Sequence, residues 1–154
     1  MDDLDVRLIE LFSAEPRIGA LEASRRLRVA RGTVTARLER LERDGVITGW
    51  GPYVDPAAIG HPVMAFLTLE ITQGSGHDPV GEHLAGIPEV LEACTVTGPG
   101  DMWCRVVART NADLQLVIDR ALAHPAIVRS STVIALATQV PYRTGPLVRS
   151  APGA

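Results

Sequence analysis

The sequence predicts an α+β fold in which a helical N-terminal module precedes a βαββαβ domain. Apolar residues recur at helical spacing up to about residue 44, and they alternate as in strands from residue 63 onward. Between these two patterns lies "DPAAIGHP", whose two prolines and one glycine are typical of a linker. The predicted organisation is 1–54 for the helical module, 55–62 for the linker, 63–140 for the second domain and 141–154 for a C-terminal tail.

The beginning of the chain predicts two helices. Leu4, Leu8 and Leu11 recur on one helical face, which indicates an amphipathic helix that ends before Pro16. The stretch "ALEASRRL", residues 20–27, predicts a second, shorter helix.

A third helix is predicted from about Gly32 to Asp44. Gly45 fits the left-handed residue that commonly follows the end of a helix. The extended pieces "VIT" and "WGPYVD" follow, separated by Gly49, and they predict a small hairpin. Three helices and a two-stranded wing within about 50 residues describe a winged helix-turn-helix, which is a DNA-binding architecture.

The second domain is predicted to have the ferredoxin-like split order βαββαβ. The final helix of this pattern carries a continuous apolar stripe, and Thr110 with Asp113 resembles a capping box at its start. The predicted elements are strand 63–71, helix 78–88, strands 89–98 and 102–110, helix 111–125 and strand 127–140. The tail contains several prolines and glycines, and we expect its end to be mobile.

Charge is distributed unevenly along the 154 residues. The chain has a formal net charge of -3, and all 15 of its cations are arginine. Residues 17–43 hold eight arginines against three glutamates, whereas residues 51–154 hold six arginines against nine acids. A basic N-terminal module on an acidic body predicts a polyanionic partner for the first part alone, and we expect that partner to be double-stranded DNA.

The third helix has one apolar face and one face suited to a DNA groove. Val34, Leu38 and Leu41 cluster on a helical wheel and are expected to face the other helices. The opposite side combines small residues near its start with arginines further along, as in helices that enter a major groove. The predicted DNA-binding residues are Arg31, Gly32, Thr33, Thr35, Ala36, Arg37, Arg40 and Arg43. The alternative is a solvated face on which arginines pair with Glu39 and Glu42.

The remaining chemistry-bearing residues do not indicate a catalytic, metal or cofactor site. The histidines at 61, 77, 83 and 124 have no ligand spacing, and no nucleophile–base or paired-carboxylate set is evident. Cys94 and Cys104 lie in strand-like segments without a CxxC pattern, so we expect buried, reduced thiols. The acidic start and the absence of a long apolar run predict a cytoplasmic protein without a membrane span. A non-enzymatic protein is therefore expected.

Four stretches resemble the Lrp/AsnC, or feast/famine, transcriptional regulators over essentially residues 4–140. They are "LDVRLIELF", "TVTARLERLERDGVITGW", "VDPAAIGHPVMAFLTLEI" and "ACTVTGPGDMWCRVV". The resemblance implies a RAM/ACT-like C-terminal domain that pairs into homodimers, often assembled further into tetramers of dimers. It also implies an amino acid or related small molecule as effector, and regulation of transcription as function.

The sequence departs from the family pattern at four places. In the second helix, Ala23 and Ser24 replace the usual leucine and alanine. Arg28 replaces the usual glycine in the helix-turn-helix turn. Ala30 replaces a capping serine, which typically costs about 1 kcal/mol because alanine cannot accept the amide hydrogen bonds of a helix start. In the effector loop, Gly98 and Asp101 retain the glycine and the second aspartate of the usual Gly-Asp-Tyr-Asp, while its first aspartate and its aromatic residue are missing.

That loop is the second candidate site. Exposed amides at Gly98 and Gly100 suit the carboxylate of an amino acid, Asp101 suits its ammonium group, and Met102 and Trp103 offer apolar contact. The predicted effector-binding residues are Thr97, Gly98, Gly100, Asp101, Met102 and Trp103. The alternative is an ordinary tight turn, with Trp103 packed at a subunit interface.

The expected mechanism is that a dimer places two copies of the third helix in successive major grooves of a roughly palindromic site. Two alternatives remain open on the same fold: an enzyme resembling haem-precursor decarboxylases, and a chromosome-organising protein with little sequence preference. The sequence does not specify the effector, the operator, activation as opposed to repression, or assembly beyond the dimer.

Overall fold

The computed structural model describes residues 1–72, 74 and 76–151. The chain divides into two compact units. One comprises Met1–Pro52 together with the chain from Val140 onward, and the other comprises Tyr53–Gln139. The residues predicted as a linker belong to the second unit, where they form a turn closed by a 2.8 Å bond from His61 N to Pro56 O. The expectation of a mobile tail end concerns residues 152–154, which lie outside the described residues.

The first unit contains the three predicted helices. They are α1 (Asp3–Ala14), α2 (Ala20–Leu27) and α3 (Arg31–Arg43). Their apolar faces meet in one core, because each helix repeats its apolar residues every three to four positions. The buried residues of this core are Leu8, Phe12, Ala23, Leu27 and Val34.

Helix α1 begins with a capping box formed by two aspartates. The Asp2 carboxylate accepts a 3.0 Å hydrogen bond from the amide of Asp5, and the Asp5 carboxylate accepts one of 2.8 Å from the amide of Asp2. This arrangement satisfies two amides that the start of a helix leaves free, and it places negative charge at the positive end of the helix dipole.

The turn between α2 and α3 carries the two departures from the family pattern. Arg28 adopts a left-handed conformation with φ of 58°, and it is the one non-glycine residue with positive φ in the described part of the chain. Ala30 is the N-cap of α3 and provides no side-chain hydrogen bond. The backbone therefore keeps a geometry that glycine and serine would favour, at a cost in stability.

The hairpin predicted after α3 is wrong. Residues 46–55, all of them described, contain no strand. The amides of Val46 and Ile47 instead donate to Leu41 O at 2.8 and 3.0 Å, so they close the end of α3. Further along this segment, Trp50 packs edge-on against Phe12 with ring centroids 5.4 Å apart. Amides used to cap a helix cannot also pair two strands.

The second unit is a four-stranded antiparallel sheet with two helices, which confirms the predicted ferredoxin-like order. The strand order in the sheet is β2-β3-β1-β4. Its elements are β1 (Val63–Ile71), α4 (Asp78–Ala85), β2 (Val90–Thr95), β3 (Met102–Ala108), α5 (Asn111–Ala121) and β4 (Ile127–Ile134). Thr110 caps α5 as predicted, because its hydroxyl accepts a 3.0 Å hydrogen bond from the amide of Asp113.

The last strand is shorter than the predicted 127–140. Ile134 pairs with Ala65, and β1 begins at Val63. Any continuation of β4 beyond residue 136 would need partners before Val63, where Pro62 has no amide to donate. Further along, the tail forms the short helix α6 (Gly145–Arg149), in which Arg149 pairs with Glu10 of α1 at 3.0 Å.

The two faces of the sheet have different surroundings. One face is buried with the apolar sides of α4 and α5, and its fully buried members include Ala65, Leu67, Leu69, Cys104 and Val106. On the other face, Phe66 stacks against Trp103 with centroids 5.2 Å apart. Val133 is opposite Phe66 in the β1–β4 register and is 63% exposed. Strand alternation produces this division, since neighbouring side chains point to opposite faces.

The two cysteines are free thiols with different environments. Cys104 is fully buried in the core, and burial raises the pKa of its thiol to about 11. Cys94 pairs with Trp103 across the strands and is exposed, so the prediction of a buried thiol is wrong for this residue. It lies on the edge strand β2, on the face away from the helices.

Candidate nucleic-acid interface and effector loop

The outer side of α3 forms a shallow depression that collects five of the eight predicted DNA-binding residues. Its volume is about 510 Å³. The lining residues are Gly32, Thr33, Ala36, Arg37 and Arg40. Small side chains near the start of the helix leave its backbone accessible, and the two arginines lie one and two turns further along. This geometry suits close approach of a nucleic-acid backbone or groove.

The other three predicted residues lie around this depression. Arg31 is the first residue of α3 and is exposed. The hydroxyl of Thr35 donates to Arg31 O at 3.3 Å, and Thr35 is also exposed. Arg43 lies in the last turn and has its guanidinium 3.7 Å from the carboxylate of Asp44.

Arg37 and Arg40 are both engaged by the N-terminus of α1. The Asp5 carboxylate accepts from Arg37 Nη1 at 2.9 Å and from Arg40 Nη2 at 2.6 Å, and its side chain is fully buried. Asp2, which is partly exposed, accepts a further hydrogen bond from Arg37 Nη1. Two of the predicted DNA-binding arginines therefore hold α3 against α1.

This four-residue cluster of Asp2, Asp5, Arg37 and Arg40, here called the α1–α3 ion cluster, is charged at neutral pH. Burial opposes ionisation of Asp5, yet hydrogen bonds from the Asp2 amide and from both arginines outweigh it and lower its pKa. The hydrogen bond from Arg37 lowers the pKa of Asp2, and the two aspartates raise the pKa of Arg37. Buried charges persist only when they are paired in this way.

Arg28, in the turn before α3, and Arg31, the first residue of α3, are free of such partners in the described part of the chain. In the described ranges, no carboxylate lies within 4 Å of the guanidinium of Arg28 or of Arg31, and both residues are exposed. The sequence places Arg28 in the turn before α3, and Arg28 is not among the predicted DNA contacts. The role of Asp2 and Asp5 was not predicted, although the D-x-x-D spacing just before an apolar helix is a capping signal.

The predicted effector loop joins β2 to β3. A 3.0 Å bond from Val96 N to Asp101 O closes it. Gly98 has φ of +118°, which favours glycine, and Thr97 beside it is exposed. Gly100 is buried against β1, where a Cβ atom would lie 2.3 Å from Thr68 Cγ2 and 3.2 Å from Leu69 O. The glycine at position 100 therefore has a packing reason that is independent of any ligand, and the prediction that Gly100 is exposed is wrong.

Asp101 ties this loop to the end of β1. Its amide donates to Leu69 O at 2.8 Å, and its Oδ2 accepts from Ile71 N at 2.7 Å. The β1–β4 pairing shifts register between Glu70 and Ile71, and the carboxylate thus takes the amide that follows the shift. One carboxylate oxygen of Asp101 has a structural role.

Met102 does not line the loop surface together with Trp103. Met102 is buried in the core beneath the helices, whereas Trp103 lies on the opposite face of the sheet, stacked on Phe66. Consecutive strand residues point in opposite directions, so a single ligand cannot contact both side chains in this unit. The prediction that Met102 offers an apolar surface to an effector at this loop is wrong, and alternation along β3 could have shown it.

No helix among the described residues has the length and apolar character that crossing a membrane requires. In the same part of the chain, no three histidine, cysteine, aspartate or glutamate side chains come together as a possible metal site.

Two family models together match most of the chain. Residues 1–48 match the model for winged helix-turn-helix DNA-binding domains, and residues 64–144 match the Lrp/AsnC ligand-binding domain. The second match alone covers more than half of the 154 residues.

Individual relatives agree with these models. An HTH-type transcriptional regulator of Pyrococcus abyssi is 31% identical over 85% of this chain and 82% of its own. The structure of E. coli AsnC superposes with a TM-score of 0.86 at 24% identity, covering 95% of this chain and 99% of that one. A feast or famine regulatory protein from M. tuberculosis, complexed with L-methionine, has a TM-score of 0.82 at 27% identity, covering 92% and 96%.

The matched proteins are regulators, and they confirm the expectation that this protein is not an enzyme. The three-helix unit, the ferredoxin-like sheet domain and these matches lead to one conclusion. The chain belongs to the Lrp/AsnC family of DNA-binding transcriptional regulators.

Proposed function

We propose that the protein is a sequence-specific regulator that reads duplex DNA in the cytoplasm through the outer side of α3. The observation that carries this proposal is the combination of small exposed residues on α3 with two arginines that have no carboxylate partner among the described residues: Arg28 in the preceding turn and Arg31 at the first position of the helix. Small side chains allow the helix to approach base edges, and free guanidinium groups bind phosphate or guanine. In this proposal Arg37 and Arg40 contact DNA from one edge of the α3 surface, and their positive charge is already partly neutralised by Asp5.

The proposed acting form is a homodimer, formed through the sheet face that bears Phe66 and Trp103. That face is not covered by α4 or α5, and it includes the exposed Val133. Half-buried aromatic residues beside an exposed aliphatic one, in a single patch, are typical of a protein interface. A dimer presents two copies of α3, so its target has two half-sites about one helical turn, or a multiple, apart.

A selection experiment tests DNA recognition. Duplexes recovered by the purified protein from a random pool should bind it about 10³-fold more tightly than competitor DNA, as specific regulators do. Replacing Arg31 with alanine should weaken binding by about tenfold and flatten the dependence of log K on log salt by about one per subunit. Fluorescence anisotropy over a salt series measures both.

The matched control is Arg109→Ala, which removes one exposed arginine from the other unit and should leave affinity within about twofold. Equal losses for the two variants would contradict a role for the start of α3. Tight binding without any preference among duplexes would instead identify a low-specificity chromosome-organising protein.

The proposed effector is an amino acid bound at the β2–β3 loop. Support comes from the match to a ligand-binding domain model and from a structural relative that was solved with L-methionine. The exposed Gly98 offers its amide to a carboxylate, and the second oxygen of Asp101 offers a charge to an ammonium group. Effector binding would alter the affinity for DNA only if the effector binds the DNA-bound and the DNA-free protein with unequal affinity. DNA binding must then alter the affinity for the effector by the same factor.

Calorimetry tests the effector site, with L-methionine as the first of the common amino acids. Asp101→Asn is the informative variant, because the amide oxygen of asparagine still accepts from Ile71 N while the charge is removed. We expect its affinity for the effector to fall by about tenfold or more, since an ammonium–carboxylate pair is lost. Asp113→Asn on α5 is the matched control. An unchanged Asp101→Asn titration would place the effector elsewhere.

A further inference from the structure

The α1–α3 ion cluster contains two aspartates that differ in their surroundings. Asp5 is fully buried, and both of its oxygens are occupied: Oδ1 by Arg37, and Oδ2 by Arg40 and the amide of Asp2. Asp2 is about half exposed, with a side-chain exposure of 52%. Its Oδ1 caps α1, and its Oδ2 accepts from Arg37.

These surroundings imply different strengths of attachment. Removing a partner from a buried carboxylate leaves an uncompensated charge in the protein interior, so the bonds to Asp5 persist. An exposed ion pair, by contrast, exchanges readily with water and with other anions. Arg37 is thus bound by the Asp5 carboxylate, which it retains, and by the Asp2 carboxylate, which another anion can replace.

The replaceable carboxylate lies where DNA is proposed to approach. Arg37 lines the depression on the outer side of α3 together with Gly32 and Thr33, and its side chain is 28% exposed. A phosphate oxygen and a carboxylate oxygen are equivalent acceptors for a guanidinium group. Both aspartates bond to Nη1 of Arg37, so a phosphate that takes this nitrogen must displace Asp2, and one that binds the other donors of the guanidinium is still repelled by the Asp2 charge.

We propose that Asp2 is an intramolecular competitor of the DNA phosphate for Arg37, and this proposal rests on the proposed function. Asp5 keeps the guanidinium in place in both states, and Asp2 is released when DNA binds. Because phosphate contacts carry no base information, the competition lowers affinity for all duplexes alike. Asp2 thereby lowers the affinity of the protein for duplex DNA of any sequence. The number of arginines on α3 does not by itself reveal this effect.

Asp2→Asn is the informative variant, because asparagine is as good an N-cap as aspartate and removes only the charge. Asp3→Asn is the matched control. Asp3 is exposed in the first turn of α1, its carboxylate is 3.8 Å from Arg7, and its replacement changes the net charge equally. Asp2→Ser, which also caps a helix without charge, serves as the second variant should the first fail to fold.

We expect Asp2→Asn to bind duplex about three- to tenfold more tightly than the unchanged protein at low salt, with a log K against log salt slope steeper by up to about one per subunit. Asp3→Asn should change affinity by less than about twofold. The ratio of specific to nonspecific affinity should stay constant in both variants. Anisotropy titrations at several salt concentrations, with thermal unfolding as the check on folding, measure these quantities.

Two results would overturn this proposal alone: equal affinities for Asp2→Asn and Asp3→Asn, or weaker binding by Asp2→Asn, which would make Asp2 a positioning residue. A complete lack of salt-sensitive duplex binding by the unchanged protein would overturn the proposed function, and this proposal with it. Duplex binding by the unchanged protein therefore shows whether the proposed function has failed or only the proposal on Asp2.

Discussion

Replacing Asp5 with alanine is expected to destabilise the N-terminal unit by about 3 kcal/mol, a large effect for one side chain. The substitution removes the acceptor of two guanidinium groups and one half of the capping box of α1. Arg37 and Arg40 then lie close together as like charges without their shared carboxylate. Urea denaturation at neutral pH measures the change through the midpoint of the first unit's transition.

Asp5→Asn removes the negative charge of this side chain and keeps its shape, so it shows how much of the stability depends on the charge. Asparagine retains an acceptor for the Asp2 amide, so we expect it to lose only part of the stability that alanine loses. A loss below about 1 kcal/mol for Asp5→Ala would show that the buried carboxylate is not what joins α1 to α3.

The same residue makes stability depend on acid pH. Since the folded state lowers the pKa of Asp5 from 3.8, its contribution is fully present above pH 3.8 and is lost as pH falls through the lowered pKa. The unchanged protein should therefore lose stability in strong acid more steeply than Asp5→Asn.

Replacing Trp103 with glutamate is expected to abolish the proposed homodimer. Trp103 forms the aromatic stack with Phe66, and the guanidinium of Arg105 lies 5.8 Å from its ring. In a symmetric interface each substitution occurs twice, so two carboxylates would enter one apolar contact without adequate pairing. Sedimentation should show a monomer, and affinity for a duplex with two half-sites should fall by about 100-fold because avidity is lost.

Leu116→Glu is the matched control for this prediction. Leu116 is 59% exposed on α5, on the helical side of the same unit, and the same substitution there should leave the dimer intact. A dimer of unchanged strength in Trp103→Glu, or a monomeric unchanged protein, would contradict the proposed interface.

The α1–α3 ion cluster changes how the positive charge of α3 should be understood. By sequence, the arginines at 37 and 40 belong to a DNA-binding surface. In the structure their charges are matched by those of Asp2 and Asp5, whereas Arg28 in the turn before α3 and Arg31 at its first position have no carboxylate partner among the described residues. The double variant Arg37→Ala/Arg40→Ala would therefore disturb folding as well as DNA binding, whereas Arg31→Ala isolates the contact to DNA.

The elements that sequence reasoning predicted correctly are those with strong periodicity. Helix α3 and strand β1 were predicted to within one residue, because burial of one face imposes a period that is visible in the residues themselves. The errors concern residues whose partners are remote in sequence or compete locally. Val46 and Ile47 look like a strand but cap a helix, and β4 ends at Ile134, opposite Ala65 near the start of its partner β1.

The sequence by itself therefore determined the two-part architecture and the inward faces of α1 and α3, since these follow from local spacing. Only the tertiary structure decided which charges remain available. Asp2 and Arg37 are 35 residues apart, and no local pattern records that they meet. Electrostatic pairing depends on distance in space and on burial, and both arise only when the helices pack.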